Sequence, residues 1–451
     1  MLHRRQSAET EAFAGRRGTI ISARRSSRGP LARHGRQRTS HPIRPVLTFL
    51  GAALAVVAVS TVSLAAYATW DVTRSVTTVS LLSDLPAEGS DGAAPAPPPS
   101  IDAIDGGVNM VLVGSDTRTN QGDAYGEDEG GALNDVTMLI HIAQDHSSAT
   151  VVSFPRDLMV ELPDCPDGGE YTAPINVALS LGGLPCVVLT VESLTGLSIP
   201  FAAMIEFNGV IEMSNALGGV PVCVAEEIDD PYTGVFLTPG TWDLKGADAL
   251  GFLRTRHGVG DGSDIGRISS QQVFLSSMIR TIKSGSTLTD ATKLYGLAKA
   301  AASNMTLSDR LASPDTMVSI ALALKDMDLS KVSFVAYPNS YADWVPEGKV
   351  APDEDSAAIL FAALAADQPI TLTQTGGLAS TTDPNAPVST SPPATDPQAP
   401  AAPTDPSVPV DPASPPAPPA PGELDASGAV VLPDDVKGQT AADYTCSIGN
   451  E

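Results

Sequence analysis

The sequence predicts an α/β layered domain with a mixed central sheet, preceded by one transmembrane helix. Short apolar runs rich in β-branched residues predict strands at 108–114, 136–142, 149–154 and 333–337. Apolar residues at helical spacing predict helices at 185–195, 209–217, 268–282 and 356–366. Strands that alternate with helices are typical of layered α/β domains.

Composition divides the 451 residues into segments of different character. Residues 384–421 carry 15 of the 38 prolines and almost no large apolar side chains, so they cannot build a core. Residues 101–370 are enough for one sizeable globular domain. The predicted order is a basic tail (1–44), a transmembrane helix (45–70), a stalk (71–100), a globular domain (101–370), a Pro-rich disordered linker (371–421) and an acidic C-terminal tail (422–451).

The apolar run at 45–70 contains 26 residues without a charge. About 20 helical residues cross the roughly 30 Å hydrocarbon layer of a bilayer. Arginines crowd its N-terminal side, where the first 44 residues hold 11 of them, and this asymmetry predicts a cytoplasmic N-terminus and an extracytoplasmic domain. The alternative is a cleaved signal peptide, but both the basic region and the apolar run are longer than such peptides usually have.

The charge balance argues against a nucleic-acid partner. The net charge of −25 combines a balance of +9 in the first 44 residues with −34 in the rest. Binding to nucleic acid needs clustered lysines and arginines, which this acidic outer part lacks. The basic tail is explained by membrane topology and attraction to the anionic leaflet.

All four cysteines follow the apolar run, as expected in an oxidising exterior. Four cysteines allow three pairings, and sequence alone does not choose among them. Cys165 and Cys186 are close enough to form a short loop, and Cys446 is a candidate to fix the C-terminal tail to the domain through Cys223. The cysteines lack the spacing of a zinc site.

Arginine is the informative residue in the acidic domain, where only seven occur between 101 and 370. Five lie at predicted strand ends, on an extended segment or at a helix start: Arg118, Arg156, Arg254, Arg256 and Arg267. Guanidinium groups bind phosphate through two hydrogen bonds, and the glycine-rich loop before Arg267 adds backbone N–H groups near a helix N-terminus. The sequence therefore predicts a shared anion site, with Gln271 on the helical face next to Arg267.

Asp116 and Asp135 are predicted at neighbouring strand ends beside this site, where carboxylates and phosphate oxygens together hold Mg²⁺. The structural alternatives are an Asp116–Arg118 pair, an Asp157–Arg156 pair and an N-cap role for Asp264. Arg280 and Arg310 lack such placement and are interpreted as surface residues.

A second expectation concerns the apolar helices at 185–217, with residues such as Phe201, Met204, Ile205, Phe207 and Ile211. They form either ordinary core or a groove for a long alkyl chain.

The ordered motifs resemble one family. NMVLVGSDTR, NDVTMLIHI, VVSFPRDLMVELP, IEFNGVIEMSNALGGV, LTPGTWDLKGADALGFLRTRHG and DIGRISSQQVFL are similar to the LytR-CpsA-Psr family over about 105–285. The resemblance implies a three-layer α/β/α sandwich and a phosphotransferase of cell-wall biogenesis. Such an enzyme moves a glycopolymer from a polyprenyl-pyrophosphate carrier to peptidoglycan through a phosphodiester.

The resemblance also implies roles for residues. Asp116 and Asp135 take the Mg²⁺ positions and are expected to be catalytic, together with Arg156 of the PRD motif. Arg118, Arg156, Arg254, Arg256, Arg267 and Gln271 take the pyrophosphate-binding positions. The family commonly has RxxRQQ where this chain has RISSQQ, so Ser270 stands in place of an arginine. This departure leaves open a non-catalytic lipid-binding or regulatory membrane protein. The other alternative is a polyprenyl-pyrophosphate hydrolase, in which water replaces the sugar acceptor.

Overall fold

A computed structural model of the chain describes residues 132–284, 290–386 and 422–450 without interruption, together with 74–82, 106–117 and scattered positions (49, 50, 53–56, 58–60, 63, 67, 70, 71, 104 and 287). The chain divides into two compact units, Met1–Val62 and Ser63–Glu451. The described residues of the first unit are helical. No helix among the described residues is both long and apolar enough to cross a membrane. The predicted basic tail lies outside the described residues, and the predicted span lies partly outside them.

The second unit is built around β-strands. In chain order the described strands are β1 (Thr77–Val79), β2 (Val108–Ser115), β3 (Asn134–Ile142), β4 (Ala149–Phe154), β5 (Met159–Leu162), β6 (Tyr171–Pro174), β7 (Phe201–Ile205), β8 (Val220–Val224), β9 (Ile228–Asp230), β10 (Val235–Leu237), β11 (Gly240–Leu244), β12 (Met305–Ser308), β13 (Val332–Ala336), β14 (Asn339–Ser340), β15 (Ala351–Pro352), β16 (Ile370–Thr371), β17 (Ser380–Thr382), β18 (Val430–Val431), β19 (Gly438–Thr440) and β20 (Thr445–Ser447).

Helices alternate with these strands in the middle of the chain. The described α-helices of this unit that have defined bounds are α1 (Gly183–Thr195), α2 (Phe207–Leu217), α3 (Ala247–Arg254), α4 (Asp264–Lys283), α5 (Ala291–Asn304), α6 (Pro314–Lys325) and α7 (Glu354–Ala365). Short 3₁₀ helices occupy Ile175–Leu181 and Leu329–Lys331.

The largest sheet is mixed, as predicted. Its strand order is β1-β12-β7-β2-β3-β4-β13-β19. The pairs β1/β12, β2/β7 and β4/β13 are parallel, and the other neighbours are antiparallel. Strand β1 comes from the segment predicted as a stalk, so the described part of that segment, at 77–79, belongs to the sheet.

Both faces of this sheet are covered by apolar side chains. In β2, Val111 and Val113 pack into one buried cluster, while Met110 and Leu112 pack against another. This alternation follows from the two-residue repeat of a strand. Helices α1 and α7 contribute to the first cluster, and α4 and α6 contribute to the second. The central strands are therefore buried on both faces, which explains their continuous apolar runs.

The C-terminal segment is part of the fold, contrary to the expectation of a separate acidic tail at 422–451. Strand β19 pairs with β13 at the edge of the large sheet, and β20 joins a second sheet of order β11-β8-β20-β17. Residues 371–386, expected in the disordered linker, supply β17 to that sheet. Arg280, interpreted as a surface residue, is half-buried and donates through Nη1 to the carbonyls of Ala441 and Asp443, at 2.8 Å each.

Two disulfides join distant parts of the domain. The predicted Cys165–Cys186 bond is confirmed, with a Cα–Cα distance of 5.7 Å. Cys223 of β8 and Cys446 of β20 form the second bond, with Cα atoms 4.4 Å apart, as suggested for the C-terminal tail. In the chain-entropy model, bonds closing loops of these lengths contribute about 3 and 5 kcal/mol. The second bond fastens the C-terminal segment to the domain.

Candidate functional site

The predicted site residues gather at one edge of the large sheet. Strand β3 is antiparallel to both β2 and β4, so the end of β2, the start of β3 and the end of β4 share this edge. Asp116 follows β2, Asp135 is the second residue of β3, and Arg156 lies two residues after β4. Arg118 falls outside the described residues.

A β-bulge sets the position of Asp135. Ser115 pairs with Asn134 and Gly114 pairs with Val136, so Asp135 has no residue opposite it in β2. Such an extra residue redirects its side chain at a strand end. The preceding Asn134 is fully buried and anchors the bulge, because its side-chain amide donates to the carbonyl of Ile175 at 3.1 Å. Asn134 therefore has a structural role.

Arg156 and Arg267 meet at Asp135. The Arg156 guanidinium donates through Nη1 to the Asp135 carboxylate. The Arg267 guanidinium donates through Nη2 to the backbone carbonyl of Asp135, at 2.6 Å. Residues from β3, from the loop after β4 and from α4 are thereby joined around one strand end.

Asp264 completes this arrangement. Ser263 caps α4, since its hydroxyl accepts from the Gly266 N–H, so the expected N-cap role of Asp264 is wrong. The Asp264 carboxylate instead accepts the backbone N–H of Arg156 at 2.9 Å and lies 2.5 Å from Nη2 of Arg267. Arg267 is buried, and a buried charge is tolerated when it is paired.

Three of the predicted arginines retain unused donors. The Nε atoms of Arg156, Arg256 and Arg267 are buried and have no hydrogen-bond partner among the described residues. A buried donor without a partner costs about 1–3 kcal/mol. Groups of this kind indicate a site that an anionic ligand would complete.

A cavity of about 170 Å³ opens beside Arg267 and is mainly apolar. Four predicted polar residues contribute to its wall: Asp135, Arg254, Arg267 and Gln271. The other lining residues come from β2, β3, α2, α3, α4 and the ends of β7: Leu112, Gly114, Ser115, Val136, Met138, Ile205, Glu206, Phe207, Val210, Met213, Ser214, Leu250, Leu253, Phe274, Leu275 and Met278. Guanidinium groups and an apolar wall thus share one space, which suits an amphipathic anion.

Local contacts orient the polar residues of the cavity. The Gln271 side-chain amide donates to the carbonyl of Leu253 at 2.9 Å, which connects α4 to α3. The Arg254 guanidinium lies over the Phe207 ring, 4.4 Å from its centroid. Such stacking orients the guanidinium plane on the cavity wall.

Two expectations about geometry need correction. Arg254 and Arg256 do not share an extended segment, because Arg254 is the last residue of α3 and Thr255 is the extended C-cap of that helix. Arg256 does not line the cavity, and its backbone N–H donates to Asp230 at 3.1 Å. The expectation that these two arginines lie together on an extended segment is therefore wrong.

The expected alkyl groove also differs in its walls. Ile205 and Phe207 line the cavity, but Phe201, Met204 and Ile211 do not. Helix α1, expected to form one side of the groove, packs into the main core. The cavity lies instead between α2, α3, α4 and the sheet edge.

The predicted Mg²⁺ ligands occupy adjacent strand ends. The Asp116 carboxylate accepts the Leu133 N–H at 2.9 Å, and the Asp135 carboxylate contacts Arg156. Within the described part of the chain, the one group of three potential metal ligands is Cys223, Asp383 and Cys446, whose sulfurs form a disulfide. Two carboxylates fit Mg²⁺ only where phosphate oxygens and water fill the remaining positions, as is usual for this ion.

Glu206 is a cavity residue that sequence reasoning missed. It lies between β7 and α2 and contributes to the wall beside the arginines. Burial raises the pKa of its carboxyl. No motif marks this position, because its place in the site depends on how α2, α3 and α4 surround the cavity.

Ser270 faces away from the arginine site. It does not line the cavity, and its hydroxyl is fully buried against β20, 2.6 Å from the hydroxyl of Ser447. The serine at this position therefore contributes to packing of the C-terminal segment.

Comparisons with known proteins agree with the residue pattern. The cell wall biosynthesis protein LcpA of Corynebacterium glutamicum is 30% identical over 272 residues, which cover 53% of this chain and 52% of LcpA. The polyisoprenyl-teichoic acid–peptidoglycan teichoic acid transferase TagT of Bacillus subtilis is 28% identical over 186 residues, covering 40% of this chain and 54% of TagT. The chain thus spans about half the length of these curated relatives.

A solved structure, the LytR-Csp2A-Psr enzyme from Actinomyces oris, aligns with 59% of this chain and 95% of its own, at 21% identity and a TM-score of 0.46. Residues 83–363 match the model of the LytR_cpsA_psr family, and the chain belongs to this family.

Proposed function

We propose that the chain transfers a glycopolymer from a polyprenyl-pyrophosphate carrier to peptidoglycan and forms a phosphodiester link. The observation that carries this proposal is the cavity in which Arg254 and Arg267 share one space with an apolar wall. A pyrophosphate attached to a long alkyl chain has both of the required properties. The name of TagT, a polyisoprenyl-teichoic acid–peptidoglycan teichoic acid transferase, supports the same substrate class.

The reaction is a substitution at phosphorus. A hydroxyl of the acceptor sugar attacks the phosphorus on the glycopolymer side, a new O–P bond forms, and the pyrophosphate bridge breaks so that polyprenyl phosphate leaves. Such chemistry needs positioning and stabilisation of charge more than covalent participation by the protein. The Nε groups of Arg156 and Arg267, which have no hydrogen-bond partner among the described residues, would donate to the phosphate oxygens as charge moves to the leaving group.

The hydroxyl proton needs an acceptor among the carboxylates at the sheet edge. Asp116, Asp135 and Asp264 are the candidates. Each of the three already accepts a hydrogen bond: Asp264 from the Arg156 N–H, Asp135 from the Arg156 guanidinium and Asp116 from the Leu133 N–H.

Mg²⁺ is the proposed cofactor, held by Asp116 and Asp135 at the two strand ends. When bound there it would neutralise charge on the phosphate oxygens. Asp135, which contacts Arg156, would be one of the two residues that hold the ion.

The proposed location is the cell membrane, with a single span at 45–70, a cytoplasmic N-terminus and an extracytoplasmic catalytic domain. The support comes from the uncharged run, from the arginines on its N-terminal side and from two disulfides in the outer part. A three-layer α/β/α sandwich is the proposed architecture, supported by the two apolar clusters on opposite faces of the large sheet.

The proposal is tested with the full chain in detergent, a polyprenyl-pyrophosphate-linked glycopolymer and soluble peptidoglycan fragments. We expect mass spectrometry to detect a phosphodiester-linked glycopolymer–peptidoglycan product together with polyprenyl phosphate. Release of glycopolymer phosphate without linkage would identify a hydrolase instead. A chain that binds the lipid but catalyses neither transfer nor hydrolysis would be a lipid-binding or regulatory protein.

A further inference from the structure

We propose that a groove of about 510 Å³ beside β5 binds the sugar chain of the peptidoglycan acceptor, with Trp344 as the stacking surface. This inference deepens the proposed function and rests on it. The groove is formed by residues from β5, β6, α1 and α7 and shares no lining residue with the apolar cavity. The two spaces thus have separate walls.

The topology brings this groove to the same sheet edge as Arg156. Strands β4 and β13 are parallel neighbours and therefore end at the same edge. Arg156 follows β4, while Tyr337 and the loop that carries Trp344 follow β13. The loop returns through the antiparallel pair β14 and β15 before α7 begins.

Hydrogen bonds attach this loop to the residues that follow Arg156. The Val350 N–H donates to the carbonyl of Asp157 at 3.2 Å, and the Met159 N–H donates to the carbonyl of Val350 at 2.8 Å. The Lys349 ammonium contacts the Asp157 carboxylate, which lies 3.8 Å from Nε of Arg156. Trp344 is therefore carried by a segment whose position is coupled to that of Arg156.

Arg156 lines neither space, but it is linked to a wall residue of each. It contacts Asp135, a residue of the cavity wall, and lies three positions before Met159, a residue of the groove wall. A donor phosphate in the cavity and an acceptor hydroxyl arriving along the groove would approach the same guanidinium. This placement is what a transfer between two large substrates requires.

The exposed aromatic residues of the loop indicate a ligand. Trp344 is 60% exposed and Tyr341 is 73% exposed, although large aromatic side chains are usually buried or at interfaces. A flat indole face suits the C–H face of a sugar ring. Glu161, Glu354 and Thr172 on the groove wall offer oxygens to sugar hydroxyl and N-acetyl groups.

Charge distinguishes the two substrates. The described groove lining contains Glu161 and Glu354 and no lysine or arginine, whereas the cavity lining contains Arg254 and Arg267. The groove therefore disfavours the polyanionic donor and accepts an uncharged amino-sugar chain.

Binding of an N-acetylglucosamine oligomer to the full chain tests this assignment by calorimetry, without donor lipid. We expect Trp344→Ala to weaken binding by about tenfold or more, as for a central aromatic contact. Trp344→Phe, which keeps an aromatic face, should recover most of the affinity. The matched control Phe236→Ala removes an aromatic residue of equal exposure, 60%, from β10 and should bind as the wild type does.

The same variants are compared in the transfer assay, where Trp344→Ala should raise the KM for the acceptor by a similar factor. Unchanged oligomer affinity in Trp344→Ala, or no binding by the wild-type chain, would overturn the assignment. The chain could also bind the oligomer through Trp344 and form no phosphodiester. That result would contradict the proposed function but would support the groove as a sugar-binding site. Normal transfer with an unchanged KM for the acceptor in Trp344→Ala would contradict the assignment of the groove but not the proposed function.

Discussion

The hydroxyl groups of Ser270 and Ser447 lie 2.6 Å apart in the buried contact between α4 and β20. Nearby, the Gln439 side-chain amide donates to the Gln272 carbonyl at 3.0 Å and to the Ser276 hydroxyl at 2.7 Å. The C-terminal segment therefore covers the side of α4 on which Ser270 lies. The departure from the RxxRQQ pattern is explained by this packing, because β20 occupies the space that a longer side chain would need.

Ser270→Arg should destabilise the protein rather than restore a missing cationic group. The site is fully buried beside Ser447, so the new guanidinium would be overpacked and without a partner. The expected loss in the free energy of unfolding is about 3 kcal/mol or more, measured as a fall in Tm. Ser303→Arg, at an exposed position of α5, is the control. A Ser270→Arg variant with wild-type Tm and higher turnover would show instead that position 270 reaches the site.

Arg156→Ala should reduce the release of polyprenyl phosphate by about 10²-fold or more, because it removes a donor to the reacting phosphate. The substitution retains the backbone N–H that Asp264 accepts, so the start of α4 keeps this contact. The effect is measured as kcat with a polyprenyl-pyrophosphate substrate. Arg310→Ala, on the exposed surface, serves as the control. Near-normal kcat in Arg156→Ala would remove this residue from the mechanism.

Val210→Trp should prevent binding of the polyprenyl chain, because Val210 lines the apolar cavity and the larger ring would fill part of it. The measurement is mass spectrometry of lipid that co-purifies with the detergent-solubilised protein. Glu212→Trp places the same side chain on the exposed side of α2 and should retain the lipid. Equal amounts of polyprenyl lipid in both variants would show that the chain binds elsewhere.

The sequence predicted the central elements well because their signals are local. The strand predicted at 149–154 coincides with β4, and the helix predicted at 209–217 lies within α2. These segments carry β-branched runs or apolar stripes long enough to be recognised. The resemblance to the family placed Asp135, Arg156 and Arg267 at one site.

The C-terminal segment could not be predicted in the same way. Strands β18, β19 and β20 have two or three residues each, too few for a periodic pattern. Their partners are distant in sequence, as in the Cys223–Cys446 bond with a separation of 223 residues. The bridging role of Asp264 was missed for the same reason, since it depends on an N–H that lies 108 residues away.

Glu206→Gln should stabilise the folded protein at neutral pH. Burial raises the pKa of the Glu206 carboxyl, so folding favours its protonated form. The charged or titratable groups that share its cavity wall are Asp135, Arg254 and Arg267. An acid with a raised pKa in the folded state contributes most stability below its unfolded pKa of about 4.3 and loses it as pH rises through the folded pKa. Glutamine does not ionise, so this residue does not lower the stability of the variant as pH rises.

The free energy of unfolding of Glu206→Gln should therefore exceed that of the wild type at pH 7 and converge with it near pH 4, as measured by denaturant unfolding at each pH. Glu212→Gln, at an exposed position of helix α2, which begins directly after Glu206, should show no such pH-dependent difference. If the difference in the free energy of unfolding between Glu206→Gln and the wild type stays constant from pH 4 to pH 7, the carboxyl titrates equally in the folded and unfolded states. A wild type more stable than Glu206→Gln at pH 7 would instead indicate that the ionised carboxylate is held by the arginines of the cavity.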